Sequence, residues 1–330
     1  MPRSFVGRLG DLLRMTVPNG FPASYWITRT VNPPSPRAVR QHLEQARTSV
    51  DAELERLLPP AEEYPPSIHK AMRYSVFAGG KRLRPTLCLE AGRLFGGDEK
   101  SLLRVGSALE LIHTYSLIHD DLPALDNDDL RRGKPTSHCV FGEATAILAG
   151  DALLTLAFEI ISGASAPSAE CKLRVIHELA HAIGTQGGMV GGQVIDLEAT
   201  DRTSDAATLD YIHSAKTGAP IRAAVRSGAI CAQAGEDDLA RVTTYGEKVG
   251  LAFQIVDDLL DVLGSQAELG KTVGKDGQQH KATYPALHGI EPSKQIASRL
   301  VEEACEAVEP YGVRAQILQG IAHYLIVRNS

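Results

Sequence analysis

The chain has 330 residues, 43% of them hydrophobic and 22% charged, so it can bury a large core as an ordinary globular protein does. Its formal net charge is -6 and no basic face is evident, which argues against nucleic acid as the main partner. Five cysteines lack the spacing of a zinc site or a CxxC redox pair, which favours reduced thiols and a cytoplasmic protein.

Residues 1–36 differ in character from the rest of the chain. They carry four arginines and one acidic residue, and they end in the proline-rich segment NPPSP. An organelle transit peptide is one interpretation of this N-terminal extension, but we favour a flexible bacterial extension or a later start at Met15. Residues 37–330 show no linker, composition shift or fixed-period repeat, which predicts one large domain.

The domain is predicted to be all-α, because apolar residues recur at three- and four-residue spacing and sustained period-two alternation is absent. The predicted helices cover 38–57, 67–77, 102–118, 144–161, 171–183, 208–213, 218–231, 237–263 and 293–308. Glycine-rich turns are predicted at 77–80, 95–98, 187–192 and 270–277. Even the most apolar helix is interrupted by Asp151 and Glu159, so we expect no integral membrane protein.

The segment SLIHDDLPALDNDDLRRGKPTSH, residues 116–138, gathers five aspartates: Asp120, Asp121, Asp126, Asp128 and Asp129. The helix before it places His113, Ser116 and Asp120 on one face at 100° per residue. Pro123 disfavours helical geometry at the residue before it, so the later aspartates are predicted to lie on a loop past the helix end. A buried core histidine and solvated loop charges are the alternative interpretations.

A second acidic stripe lies in GLAFQIVDDLLDVLG, residues 250–264, where Gln254, Asp257, Asp258 and Asp261 share an arc of roughly 100°. The rest of this helix surface is apolar, so the stripe is predicted to face an internal cavity. Carboxylates that share a buried cavity repel each other and need protons or cations, and Mg²⁺ suits their oxygens. Salt bridges to Arg and Lys of neighbouring helices are the alternative.

If both acidic clusters line one cavity, they can hold several Mg²⁺ ions, for which a diphosphate is the natural bridging ligand. Arg131 and Arg132 directly follow the first cluster and offer forked donors to diphosphate oxygens. The run GGKRLRP at 79–85 predicts a second anion site, although such basic runs are more often solvated. Further candidate donors are Lys216, Thr217, Lys271 and Lys281.

In their order along the chain these motifs resemble the trans-isoprenyl diphosphate synthase family, most closely its bacterial-type farnesyl diphosphate synthases. The likeness covers about residues 39–329 and also includes FGEATAILAGDALLTLAF, GGQVIDL, KTGAPIRAAVRSGA and the closing RN. The resemblance implies the isoprenoid synthase fold, a single bundle of about ten or more helices around a central cavity. It also implies a homodimer.

The resemblance implies a prenyltransferase that condenses isopentenyl diphosphate with dimethylallyl or geranyl diphosphate. The implied reaction is an ionisation, a condensation and a proton elimination that yield diphosphate and farnesyl diphosphate (FPP, C15). Its cofactor would be Mg²⁺, three ions per active site, with Mn²⁺ as an alternative. A geranylgeranyl diphosphate (GGPP, C20) synthase and a non-catalytic regulatory subunit are alternatives. A terpene cyclase fits poorly because only 5% of the residues are aromatic.

The resemblance also implies roles for individual residues. The metal ligands would be Asp120, Asp121, Asp126, Asp257, Asp258 and Asp261. The allylic diphosphate would contact Arg131, Lys216, Lys271 and Lys281, while Thr217 and Gln254 would lie beside the developing allylic cation. Isopentenyl diphosphate would contact Gly80, Lys81, Arg84, His113 and Arg132. Tyr115, with its neighbour Ser116, would limit the product to C15, unless Tyr115 simply packs in the core.

Overall fold

The computed structural model describes residues 34–199, 205–263 and 283–327. The helices are α1 (Pro36–Leu57), α2 (Pro66–Val76), α3 (Leu83–Leu94), α4 (Glu99–Asp120), α5 (Ser137–Phe141), α6 (Glu143–Ser162), α7 (Ala169–Ile183), α8 (Met189–Ala199), α9 (Ala206–Ile212), α10 (Ala219–Cys231), α11 (Glu236–Leu263), α12 (Tyr284–His288), α13 (Ile290–Val308) and α14 (Gln316–Val327). A π-helical turn, His213–Gly218, joins α9 to α10, and a 3-10 segment, Glu309–Ala315, joins α13 to α14.

Within these described ranges, the strands are limited to β1 (Leu130–Arg131) and β2 (Lys134–Pro135). They pair antiparallel, with Leu130 opposite Pro135, and form a short ribbon after α4. The predicted all-α fold is therefore confirmed. The ribbon matters because it carries the two arginines that follow the first acidic cluster.

Helix α4 lies in the centre of the molecule and is buried along most of its length. It packs against α3 and α6, and it also contacts α1, α2 and α10. The neighbouring helix α10 is rich in alanine and is likewise mostly buried. Its Gly228 permits close approach to α3, because a Cβ atom there would lie 2.0 Å from the carbonyl oxygen of Cys88. Small side chains thus bring the central helices together.

The long helix α11 packs against α10 and α13, and it also crosses the π-helical turn. A Cβ atom on Gly250 would lie 2.8 Å from the Cα atom of Gly218, so glycine is needed where the two backbones meet. Gln254 is one helical turn further along α11 and therefore lies beside this π-helical turn. Tyr245 fixes the same helix to α14 by donating a 2.7 Å hydrogen bond to the carbonyl oxygen of Leu318.

Two departures from the predicted elements have physical reasons. The glycine-rich run 187–192 was predicted as a turn, but α8 begins at Met189 and includes Gly191 and Gly192. These glycines serve close packing, since a Cβ atom on Gly192 would lie 2.5 Å from the backbone nitrogen of Lys216. Helix α3 was missed because it is buried on nearly all sides and so has no amphipathic pattern.

Helix α6 is the one helix in the described part of the chain with the length and apolar composition of a membrane span. It packs along α4, and a Cβ atom on Gly150 would overlap the imidazole of His119. Its buried side includes Ala146, Leu153 and Ala157. Core helices of globular proteins pass the same test of length and composition, and these contacts favour that interpretation of α6.

The predicted N-terminal extension lies outside the described residues up to position 33. The first described element is α1. Its N-cap is Ser35, and its first helical residue is Pro36. The turn predicted at 270–277 and the closing Arg328 and Asn329 also lie outside the described residues.

Replacement of Gly228 by alanine should destabilise the fold. The added methyl group would meet the backbone of α3 at Cys88, and overpacking of this kind lowers the free energy of unfolding by about 1–3 kcal/mol. Urea unfolding of Gly228→Ala measures the effect. Gly235→Ala is the matched control, because its nearest neighbour is the Asp238 side chain at 3.9 Å. Equal stabilities of the two variants would contradict the packing assigned to α3 and α10.

Candidate active site

The first acidic cluster forms where α4 ends and the chain folds back over the helix terminus. The backbone nitrogen of Asp126 donates to the carbonyl oxygen of Asp120 at 2.8 Å, and that of Asp128 donates to Asp121 at 3.1 Å. Asn127 has a φ of 50°, a left-handed conformation that asparagine tolerates better than most residues. The loop thereby brings Asp126 back to Asp120, and the predicted end of the helix before Asp126 is confirmed.

The carboxylates of this cluster are held in surroundings that disfavour their negative charge. Burial raises the pKa of Asp120 to about 6, Lys216 opposes this rise, and the charge of Asp126 adds to it. Burial also raises the pKa of Asp121, against the effect of Arg131. Carboxylates in this situation are stabilised by a nearby cation. The donor set therefore fits the hard divalent ion predicted for the cluster.

Asp121 forms a forked ion pair with Arg131 of the ribbon. The Nε atom of Arg131 donates to Oδ1 at 2.8 Å and to Oδ2 at 3.0 Å, and Nη2 donates to Oδ1 at 2.5 Å. A second carboxylate, that of Asp128, lies 3.8 Å from the same guanidinium. For Asp121 the structure thus shows the salt-bridge arrangement that competes with metal ligation.

Lys216 projects from the π-helical turn towards the first acidic cluster. Its Nζ atom lies 2.7 Å from Oδ2 of Asp196 on α8. Burial acts to lower the pKa of Lys216, but the charges of Asp196 and Asp120 outweigh it and the pKa is raised. Lys216 therefore stays positively charged between two acidic groups.

Thr217 lies next to Lys216 and connects the π-helical turn to the acidic stripe of α11. Its hydroxyl donates a 2.9 Å hydrogen bond to Oε1 of Gln254, whose Nε2 atom donates to Oδ1 of Asp258 at 3.3 Å. π-helical turns inside helices often occur at functional sites. Here the turn presents two consecutive side chains, Lys216 and Thr217, to two different acidic clusters.

Asp258 is buried among protein donors. Its Oδ2 atom accepts a hydrogen bond from the backbone nitrogen of Tyr284 at 3.0 Å and lies 3.5 Å from Nε2 of His213. The rings of His213 and Tyr284 stack with centroids 5.4 Å apart. The second carboxylate of the stripe thus joins α11 to α12 and to the π-helical turn.

The other two carboxylates of the stripe have different surroundings. Asp257 is partly exposed and lies close enough to Arg84 to act on the pKa of that guanidinium. Asp261 is buried, with 4% of its surface exposed. The apolar surface of this helix is not buried at its C-terminal end, where Val262 and Leu263 are 52% and 53% exposed.

The residues of the run GGKRLRP have different surroundings in the structure. Arg82 was grouped with an anion site, but its side chain points into the core and pairs with Glu110 and Asp51, each at 2.8 Å. Lys81 is exposed. Arg132 of the ribbon reaches the run and donates to the carbonyl oxygen of Gly79. Gly80 has a φ of 136°, a conformation that favours glycine, and a Cβ atom there would lie 2.6 Å from Nη1 of Arg132.

His113 lines a pocket with Arg84, Met189 and Pro220 at the junction of α3, α4, α8 and α10. Burial, followed by the positive charges of Arg84 and Arg132, lowers its pKa well below the usual value. Burial also lowers the pKa of Arg84 and of Arg132. In the described part of the chain, Nε of Arg84 is buried without a hydrogen-bond partner. An anion would satisfy this group.

Tyr115 is buried in the core and packs edge to face against His119, with ring centroids 5.7 Å apart. His119 in turn lies 3.0 Å from the carbonyl oxygen of Ile147 on α6. Burial and the nearby charge of Asp120 raise the pKa of Tyr115 to about 12. Ser116 donates a 2.9 Å hydrogen bond to the carbonyl oxygen of His113. Tyr115 therefore packs beside His119, which contacts α6, and lies close to the first acidic cluster.

The predicted donors Lys271 and Lys281 lie outside the described residues. Asp196 and Gln193 of α8 are not among the predicted site residues, although their motif GGQVIDL is part of the resemblance. Their three-residue spacing places both on one face of a helix, and this spacing could have identified them as candidate site residues. Both polar atoms of the Gln193 amide are buried without a hydrogen-bond partner among the described residues. No sequence pattern predicts a role for His213, because only the tertiary structure brings it next to Asp258.

Comparison with known proteins bears on this site. The family model described as "Polyprenyl synthetase" matches residues 65–313, which include both acidic clusters and the π-helical turn. The chain belongs to the polyprenyl synthetase family. The predicted family and enzyme class, a prenyltransferase, are therefore confirmed.

The relatives of this polyprenyl synthetase differ in the products that their names state. A dimethylallyltranstransferase of Fischerella ambigua is 50% identical, over 87% of this chain and 83% of its own. A geranylgeranyl diphosphate synthase of Cyanophora paradoxa is 48% identical, over 81% of this chain and 89% of its own. The crystal structure of an FPP/GFPP synthase from Zymomonas mobilis is 40% identical, with a TM-score of 0.79, over 88% of this chain and 99% of that one.

His113→Gln should make the free energy of unfolding less sensitive to acid pH. The folded protein resists protonation of His113, whereas the unfolded chain takes up this proton below about pH 6.5. The wild-type free energy of unfolding should therefore fall below that pH, with His113 contributing up to about 1.4 kcal/mol per pH unit. Urea unfolding between about pH 7.5 and 5 measures the slope. His177→Gln changes an exposed histidine and is the control, so it should keep the wild-type pH dependence. If the free energy of unfolding had the same pH dependence in wild type and His113→Gln, the lowered pKa of His113 would be contradicted.

Proposed function

We propose that this polyprenyl synthetase condenses isopentenyl diphosphate with dimethylallyl or geranyl diphosphate in a Mg²⁺-dependent reaction and releases FPP and diphosphate. The observation that carries the proposal is the meeting of both acidic clusters at the π-helical turn. Asp120 interacts with Lys216, and the next residue, Thr217, binds Gln254 at the head of the second cluster. This arrangement suits a diphosphate held between metal ions and basic side chains.

We assign metal ligation to Asp120, Asp126, Asp257 and Asp261. Asp121 accepts hydrogen bonds from Arg131, and Asp258 accepts one from the backbone nitrogen of Tyr284. We therefore propose that these two aspartates position neighbouring side chains instead of binding the metal ions, as the resemblance had implied. When bound, Mg²⁺, or Mn²⁺ in its place, supplies Lewis-acid stabilisation of the negative charge on the leaving diphosphate.

Arg131 and Lys216 are proposed to bind the diphosphate of the allylic substrate. The closest ion pair of Arg131 is with Asp121 and that of Lys216 is with Asp196, and each pair fixes the direction of the basic side chain without using all its donors. The raised pKa of both groups keeps them charged. Lys271 and Lys281 are proposed to add further contacts.

Thr217 and Gln254 are proposed to stabilise the allylic cation once the bond from carbon to the diphosphate oxygen breaks. Their hydrogen bond orients both oxygen atoms before the substrate arrives. Fixed dipoles of this kind lower the free energy of a charged transition state because they do not reorganise during the reaction. The double bond of isopentenyl diphosphate then attacks the cation, and loss of a proton completes the product.

The second diphosphate site is proposed at Gly80, Lys81, Arg84, His113 and Arg132. The support is electrostatic: burial lowers the pKa of Arg84 and of Arg132, and a bound anion stabilises such guanidinium groups. The neutral His113 adds no repelling charge towards these arginines. A glycine at position 80 gives Arg132 the space to reach this site.

A C15 product is proposed because the bulky Tyr115 is buried near Asp120, where it can limit the length of the growing chain. A C20 product is the alternative, and the geranylgeranyl diphosphate synthase among the relatives favours it. A non-catalytic regulatory subunit is the other alternative. The complete set of acidic and basic side chains at the site favours an active enzyme over it.

We also propose a homodimer. Three large apolar side chains are exposed near the start of helix α6: Val140 in α5, and Ile147 and Leu148 in α6 itself. Exposed apolar groups that are close together are typical of a surface that a second subunit covers. Light scattering of the purified protein measures the mass directly, and a monomer at micromolar concentration would contradict this proposal.

Asp120→Asn and Asp257→Asn should each lower the turnover number by a factor on the order of 10²–10³, and both should require more Mg²⁺ for half-maximal rate. Asp121→Asn and Asp258→Asn should lower turnover with little change in the Mg²⁺ requirement, because they act through Arg131 and Gln254. Turnover is measured with isopentenyl diphosphate and either primer. Exposed Asp151→Asn is the control.

This experiment also tests the proposed function. Wild-type protein that forms no prenyl product with either primer at saturating Mg²⁺ would move the assignment to a regulatory subunit. An unchanged Mg²⁺ requirement in both Asp120→Asn and Asp257→Asn would contradict the metal assignment alone.

Tyr115→Ala should lengthen the product from C15 to C20 or beyond, because it removes the bulk that limits chain growth. Tyr115→Phe keeps the ring and should keep the C15 product. Mass spectrometry of the dephosphorylated prenyl alcohols identifies the chain length. The same product from wild type and Tyr115→Ala would show that Tyr115 acts only in core packing.

A further inference from the structure

A cluster of three metal-binding side chains lies at the base of the ribbon, apart from the two acidic clusters. It consists of Asp129, just before β1, and His138 and Cys139 in α5, with one potential ligand atom of each within 4.8 Å of the others. The Sγ atom of Cys139 lies 3.5 Å from Oδ1 of Asp129 and 3.8 Å from Nδ1 of His138. We refer to these three residues as the ribbon cluster.

The ribbon itself brings the cluster together. Its strands turn the chain back so that the backbone nitrogen of Thr136 donates to the carbonyl oxygen of Asp129 at 2.9 Å. The Thr136 hydroxyl donates to the carbonyl oxygen of Asp128 at 2.8 Å. These bonds close the base of the ribbon and fix α5 beside Asp129, so residues nine and ten positions apart become neighbours.

His138 offers one ring nitrogen as a metal ligand. Its Nε2 atom lies 3.0 Å from the carbonyl oxygen of Asp128, which accepts hydrogen bonds but donates none. Nε2 therefore carries the hydrogen, and Nδ1 keeps its lone pair. The Cys139 sulfur lies 3.8 Å from Nδ1 and 3.9 Å from Nε2, so the imidazole ring must tilt for Nδ1 and the sulfur to bind the same ion. Histidines that bind metals commonly donate their other ring nitrogen to a backbone carbonyl in this way.

The donor set and its spacing select the ion. Ligands of tetrahedral Zn²⁺, at about 2.3 Å for sulfur and about 2.0–2.2 Å for nitrogen and oxygen, lie roughly 3.5 Å from one another. The sulfur distances in the ribbon cluster, 3.5 and 3.8 Å, are close to this value. Mg²⁺ prefers oxygen ligands only, whereas sulfur and imidazole favour zinc.

We propose that Asp129, His138 and Cys139 bind Zn²⁺ or a similar divalent transition metal at a site distinct from that of Mg²⁺. A water molecule would complete the tetrahedron. Binding displaces the thiol proton of Cys139, which passes to solvent, so affinity rises with pH. The ion would tie α5 to the start of the ribbon that carries Arg131 and Arg132, and would thus restrain two proposed diphosphate ligands.

Co²⁺ is a suitable probe because its absorption reports both tetrahedral geometry and bonding to sulfur. Full-length protein is titrated with Co²⁺ in excess Mg²⁺, with a phosphine reductant that keeps the thiols free. The wild type should bind one Co²⁺ with a sulfur-to-cobalt charge-transfer band, and Zn²⁺ should abolish that band. Cys139→Ser should lose the band, and His138→Gln and Asp129→Asn should weaken binding by ~10-fold or more.

His177→Gln is the matched control. His177 and His181 form an exposed imidazole pair on α7, with ring centroids 6.5 Å apart, which can itself bind a transition metal but offers no sulfur. The control should keep the charge-transfer band, and circular dichroism checks the fold of each variant. Absence of the band from the wild type, or its survival in Cys139→Ser, would overturn the proposal. If Cys139→Ser does not fold, undiminished Co²⁺ affinity in Asp129→Asn and His138→Gln would overturn it.

Discussion

Mutual repulsion between buried carboxylates is the constraint on which the rest of this structure depends. The two acidic clusters are linked through the π-helical turn, and burial makes the negative charge of the first cluster unfavourable, as the raised pKa of Asp120 shows. The fold supplies positive charge from separate elements: Arg131 from the ribbon, Lys216 from the π-helical turn and Arg84 from α3. These groups offset only part of the repulsion, and divalent ions with a diphosphate are the chemistry we propose for the remainder.

Close packing at small residues allows these charged groups to meet. Gly192 and Gly250 bring α8 and α11 against the π-helical turn, and Gly80 admits Arg132 to the basic run. A larger residue at Gly192 or Gly250 would separate the elements that carry the charged groups, because its Cβ atom would meet backbone atoms of the π-helical turn. The geometry of the site therefore depends on residues that take no part in its chemistry.

The sequence predicted the all-α fold, the end of α4 before Asp126 and the arc of polar residues on α11, because each follows from local periodicity or from proline. It did not separate the aspartates within each cluster. Asp121 and Asp258 differ from their neighbours through Arg131 and Tyr284, which only tertiary structure places beside them. The turn predicted at 187–192 is limited to Gly187 and Gly188, because the later glycines lie in α8 and serve contact with the π-helical turn. The ribbon cluster was likewise hidden, since its cysteine and histidine reach Asp129 only after the ribbon forms.

The central claim is that the acidic clusters bind an allylic diphosphate through divalent ions. The most direct test is calorimetric titration of geranyl diphosphate into the protein without isopentenyl diphosphate, so that no condensation occurs, in Mg²⁺ and again in a chelator. The account predicts strong binding in Mg²⁺ and at least a tenfold weaker affinity in the chelator. Equal affinity under both conditions would contradict it, because the basic side chains alone would then hold the substrate.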